Sequence, residues 1–100
     1  MVGMKKFAMC RYYGEDVSVF VDGVRENNDL YLILQVVDTI NKSSSFQTMI
    51  FPKETFKTIC KGRNIDWFIE EYNGLSGITK LINCCRDNNL LYRIIKENVA

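Results

Sequence analysis

The chain has 100 residues and a mass of 11.6 kDa, room for one domain of ordinary size. Apolar residues make up 47% and charged ones 25%, a globular balance, and 13 Lys and Arg against 12 Asp and Glu leave a formal charge of +1. Near-neutrality excludes a histone-like neutraliser or a polybasic membrane binder, and the absence of histidine excludes Ser-His-Asp and Cys-His catalysis, His-rich metal sites and imidazole pH switching.

Lys5 to Tyr13 alternates and ends at the turn residues Gly14-Glu15-Asp16. Val17 to Val24 follows, then a turn at Glu26-Asn27-Asn28-Asp29. Leu30 to Ile40 is apolar on both faces, which suits a central strand; Asn41 to Ser44 is a polar loop, and Phe46 to Phe51 is a fourth run. β-branched and aromatic residues dominate throughout, so four strands joined by short turns predict an antiparallel meander. Strict alternation places Lys5, Phe7, Met9, Arg11 and Tyr13 on one face of the first strand. Cations interleaved with rings in this way can follow a single-stranded backbone while stacking on its bases. The same pattern also suits an amphipathic strand whose cations snorkel to water.

Pro52 marks a change of period, with Pro52-Lys53-Glu54 as a first helical turn. Phe56, Ile59 and Cys60 share one helical face, while Lys53, Lys57 and Lys61 recur at i, i+4 and i+8 with Arg63 close behind. That basic stripe is either a solvated face or a phosphate-contacting one. Gly62 bends or interrupts the helix, and Asn64 is placed to cap a second piece carrying Ile65, Phe68, Ile69 and Tyr72, stopped by Asn73-Gly74. Ser76 is a candidate cap for a further helix with Ile78, Leu81, Ile82 and Cys85 on one face, closed by Asp87-Asn88-Asn89. Leu90 to Val99 fits a short helix or a strand equally well. The expected fold class is α+β, a ββββ meander followed by helices on one sheet face.

Cys10, Cys60, Cys84 and Cys85 match no zinc spacing, and reduced thiols in an intracellular protein are expected. Charges at Lys5, Lys6, Arg11, Glu15 and Asp16 argue against a secretory leader, and Leu30 to Leu34 is too short an apolar run to span a bilayer, so no membrane association is expected. The adjacent carboxylates Glu15-Asp16 and Glu70-Glu71 point in different directions, and there is no P-loop, G-x-G-x-x-G or G-x-S-x-G motif. A non-catalytic protein with no cofactor and no metal is expected; a cysteine-based enzyme is a distant option that needs a depressed thiol pKa.

Val19 to Phe56 resembles the PUR repeat of the Pur-alpha-type proteins, which bind purine-rich nucleic acid. Phe20 and Asp22 look like the repeat's strand opening, Arg25-Glu26-Asn27 like its K-E-N, and Tyr31-Leu32 like its F-L. Ser45 to Pro52 look like its fourth strand and the proline at the helix start, Phe56 like the helix aromatic, and Phe68 to Tyr72 like the helix end. Asn28 or Asp29 stands where the family has glycine, and Leu30 and Ile33 stand where it has arginines. The resemblance covers residues 4–73. It implies a whirly-type fold, a curved four-stranded antiparallel sheet with a helix (ββββα), and a homodimer in which each helix crosses to the other copy. Residues 74–100 are then a mainly helical extension packed on the same domain.

The resulting expectation is a single-stranded DNA- or RNA-binding homodimer in transcription or nucleic-acid regulation. Lys5, Arg11 and Arg25 are the candidates for phosphate, Asn27 for a base edge or sugar, and Tyr13 or Tyr31 for stacking. Lys53, Lys57 and Lys61 form a second basic candidate. The alternative is a protein-interaction module that keeps the scaffold, loses the ligand and takes a protein partner through its apolar tail (Leu81, Ile82, Leu90, Leu91, Ile94, Ile95).

Overall fold

A computed structural model of the chain describes the backbone of residues 5–99 and the side chains of 5–96. Positions 4 and 100, the outer ends of the two expected spans, lie outside the described residues. The order of elements is β1 (Lys5–Tyr13), β2 (Val17–Glu26), β3 (Asp29–Asp38), β4 (Ser43–Phe51), α1 (Lys53–Cys60), α2 (Ile65–Tyr72), α3 (Gly74–Asp87) and β5 (Arg93–Val99). All strand pairings are antiparallel, and the sheet runs β1-β2-β3-β4-β5 with β3 at its centre. This is the expected α+β meander with helices on one face, widened by a fifth strand.

The β2–β3 hairpin closes on Asn27 (φ 53°) and Asn28 (φ 70°), with Glu26 paired to Asp29. Two consecutive left-handed residues match the twist of the flanking strands, and asparagine tolerates that conformation better than most side chains. Alternate positions of β2, β3 and β4 then send Val21, Leu30, Leu32, Met49 and Phe51 to one face, where all are buried against Phe56, Ile59, Phe68, Ile78 and Leu81 of the helices. At about 1.5–3 kcal/mol per fully buried large apolar side chain, this layer holds the helices on the sheet.

Three sequence expectations are corrected. First, β1 does not alternate strictly. Ala8 pairs with Asp22 and Cys10 with Val21, so Met9 is an extra residue and the register shifts. Met9 and Cys10 are both buried, Lys5 and Phe7 stay on the helix side, and Arg11 and Tyr13 turn to the other. Lys5, Phe7, Met9, Arg11 and Tyr13 therefore do not share a face.

Second, the region after residue 74 is only partly helical. α3 is followed by β5, where Ile94 pairs with Met49 and Ile95 with Thr48. Thr55 in α1 donates its hydroxyl to the Leu91 carbonyl at 2.6 Å, tying the approach to β5 onto the helical layer, and Tyr92 stacks on Phe51 with centroids 5.4 Å apart. Without β5, β4 would present an unpaired edge.

Third, Ser76 is not a cap. Asn73 ends α2, its amide donating to the carbonyls of Ile69 (3.1 Å) and Glu70 (2.8 Å), and α3 starts at once from Gly74. The break at Gly62 is as expected, and Asn64 caps α2 by accepting from the Trp67 N–H at 3.0 Å. Among the described residues no helix is long and apolar enough to cross a membrane.

Candidate functional site

The sheet's second face carries no helices, and it holds Arg11, Tyr13 and Tyr31 of the residues singled out above. Arg11 is already engaged. It forms an ion pair with Asp22, and its Nη1 donates to the carbonyls of Cys10 (2.8 Å) and Val21 (3.2 Å), satisfying backbone beside the bulge. Tyr13 is 76% exposed and meets Phe20 edge-on at 5.3 Å; Tyr31 is half-buried between its register partners Val24 and Ile50. The face also exposes Ile33 (36%) and Ile95 (43%). Arg11, on the edge strand, is neutralised by Asp22, and Lys6 and Arg93 fall on the same face by register.

Four cations gather on the helix side. A cleft of about 260 Å3 opens between the β2–β3 hairpin, α1 and the link from α1 to α2. Arg25 and Asn28 line it from the hairpin, Lys53, Phe56, Lys57 and Cys60 from α1, and Gly62 and Arg63 from the link. Local sequence explains this assembly. The Asn27-Asn28 turn ends beside α1, and Asp29, the first residue of β3, accepts from the Lys53 N–H at 3.0 Å. Pro52 supplies no side-chain cap, so Asp29 serves a helix end that would otherwise leave that donor unmet. At the other end Lys61 (φ 52°) and Gly62 (φ 76°) are both left-handed, and the Arg63 N–H donates to the Cys60 carbonyl at 2.9 Å. This bend folds Arg63 back toward α1 while its guanidinium carbon stands 5.7 Å from the centre of the Trp67 ring.

Arg25 is the cleft's most unusual group. Its guanidinium carbon lies 4.1 Å from the centre of the Phe56 ring, a cation–π contact, and Nη2 donates to the Asn28 carbonyl at 3.3 Å. Its Nε is buried with no hydrogen-bond partner among the described residues. No carboxylate lines the cleft, and Arg25, Lys53, Lys57 and Arg63 form no ion pair among the described residues. Burial pushes the Cys60 thiol up, with Arg25 opposing, the direction opposite to thiol activation. Burial likewise raises Cys10, and takes Cys85 to about 11.

The nine residues read from the sequence thus separate. Arg25, Lys53 and Lys57 meet in the cleft, and Lys5 pairs with Arg25 beside it. Asn27 sits exposed at the hairpin tip, where its left-handed backbone uses it, and Lys61 caps α1 beyond the helix rather than continuing the stripe. Arg11, Tyr13 and Tyr31 lie on the opposite sheet face. Reasoning from sequence named Arg63 only in passing and missed Asn28 and Cys60. The signals that could have found them are the paired asparagines and the Lys61-Gly62 break, which bracket the cleft. No cluster of three or more Cys, Asp or Glu able to hold a metal ion occurs among the described residues.

No family model, no curated protein and no solved structure matches this chain.

Proposed function

We propose that the chain is a non-catalytic single-stranded nucleic-acid-binding protein of the PUR type, acting as a homodimer in the regulation of intracellular DNA or RNA. The observation that carries this reading is the cleft: four cations without ion pairs, gathered on one side of a protein whose net charge is only +1. Gathering like charges costs energy unless an anion meets them, and a phosphate backbone returns that energy by releasing counterions. Arg25, held over the Phe56 ring, is a preorganised fork for phosphate oxygens. The uncovered second face, which exposes Tyr13, Ile33 and Ile95, is the surface on which a second copy would pack.

The test is fluorescence anisotropy with labelled purine-rich single-stranded DNA and its RNA counterpart, with a duplex control. Light scattering fixes the oligomeric state beforehand. Micromolar or tighter binding that prefers single strands and weakens as salt rises is expected. A folded dimer that binds nothing at low salt would overturn the reading. The second reading, a protein-interaction module, would then stand, favoured by exposed Tyr13, Ile33 and Ile95 on the uncovered face and by Leu91 (75% exposed) before β5.

A further inference from the structure

We infer that the cleft takes the terminal phosphate of a nucleic-acid strand, a phosphomonoester, in preference to an internal phosphodiester; this deepens the nucleic-acid reading and rests on it. Charge is the first ground. Four unpaired cations converge on about 260 Å3, the room of roughly one nucleotide, whereas a diester brings a single negative charge to it. A monoester carries about −1.5 to −2 near neutral pH and presents three strong acceptor oxygens.

The second ground is donor supply. Among the described residues one of the five N–H groups of Arg25 is engaged, in a 3.3 Å bond from Nη2 to the Asn28 carbonyl, so the Nη end of the fork keeps donors in reserve. A forked guanidinium with donors in reserve suits a phosphate offering oxygens in several directions.

The third ground is shape. The cleft is walled by the hairpin, α1 and the α1–α2 link, and where the hairpin meets α1 its border is acidic: Asp29 accepts from the Lys53 N–H, with Glu54 next in the chain. A strand that left the cleft on that side would bring its next phosphate to that carboxylate, whereas a strand that ends in the cleft brings none. The groups facing the cleft are Arg25 from β2, Lys53, Lys57 and the Cys60 thiol from α1, and Arg63 from the link. With no histidine in the chain, a change of affinity across pH 5 to 7 reports the ligand's own second ionisation, which lies near 6.

The experiment titrates the full chain with one purine-rich oligonucleotide in three forms, 5′-phosphorylated, 3′-phosphorylated and hydroxyl at both ends, and with AMP against adenosine. At least one phosphorylated form should bind about tenfold more tightly than the hydroxyl form, as one or two charge-assisted hydrogen bonds allow. The preference should grow from pH 5 to 7 and shrink in Lys57→Gln and Arg63→Gln, both at exposed positions. Equal binding of all three oligonucleotides would overturn the inference and leave strand binding intact. AMP binding over adenosine with no oligonucleotide bound would overturn the strand as ligand and leave a mononucleotide in its place. No binding of any probe would remove both readings.

Discussion

Arg11 and Arg25 sit on neighbouring strands, yet only Arg11 is used up within the fold. Its guanidinium closes the bulge through Cys10, Val21 and Asp22, while Arg25 keeps most of its donors and rests on Phe56. The two sets of cations should therefore respond oppositely to substitution. Arg11→Ala lowers the thermal midpoint and leaves oligonucleotide affinity unchanged. Lys57→Gln, which removes one of the crowded cations, does not lower the midpoint, and Lys57→Gln and Arg63→Gln each make the salt dependence of binding shallower. Denaturation curves and anisotropy titrations on the same samples check both halves. A separate residue-scale prediction concerns Asp38, whose carboxylate accepts from the Asn41 and Ile40 N–H groups at 3.0 Å and from the Asn41 amide at 2.8 Å. These bonds, chiefly the Asn41 ones, hold its pKa below the usual 3.8. A depressed folded pKa gives stability that is present above the unfolded value and lost as pH falls through the folded one. The midpoint gap between the wild type and Asp38→Ala should thus be open at pH 7 and close below about pH 3.8. A gap that persists in acid would show that the charge is not its source.

At the scale of elements, the decisive features are those where local pattern and tertiary packing compete. Strand alternation was legible from Val17 to Phe51, where every strand has a continuous partner register. In β1 it failed, because a bulge leaves no mark in a strand of mixed residues: Met9 and Cys10 are both apolar, and either could have faced the core. The break after α1 was legible from Gly62 and Asn64. The strand character of Arg93–Val99 was not, since it depends on the open edge of β4, 40 and more residues earlier. Gly77 gives a test of helix packing. A Cβ there would stand 2.3 Å from the Tyr72 carbonyl carbon. Backbone cannot yield as a side chain does, so an overpacking cost of about 1–3 kcal/mol outweighs the helix-propensity gain of about 1 kcal/mol from Gly→Ala. Gly77→Ala should lower the thermal midpoint by several degrees, at roughly 4–8 °C per kcal/mol for a chain of this size. A raised midpoint would mean that α2 and α3 are free to separate.

For the whole molecule, the division of labour follows the two sides of the sheet. One side is filled by α1, α2 and α3 and carries the cationic cleft at its hairpin end; the other is uncovered, with Arg11 neutralised at its edge strand. The fold class was readable because hydrophobic period and turn residues are local properties. The cleft was readable only in fragments. Arg25 and Lys53 lie far apart in the chain, and the bond from the Lys53 N–H to Asp29 that brings their elements together has no local sequence signal. Nitrogen-15 chemical-shift mapping during titration with purine-rich single-stranded DNA tests most directly whether the cleft, and not the uncovered face, is the nucleic-acid surface. Shifts concentrated at Arg25–Asn28 and Lys53–Arg63, saturating together, are the predicted result. Shifts concentrated at Arg11–Tyr13 and Tyr31–Gln35 would contradict it.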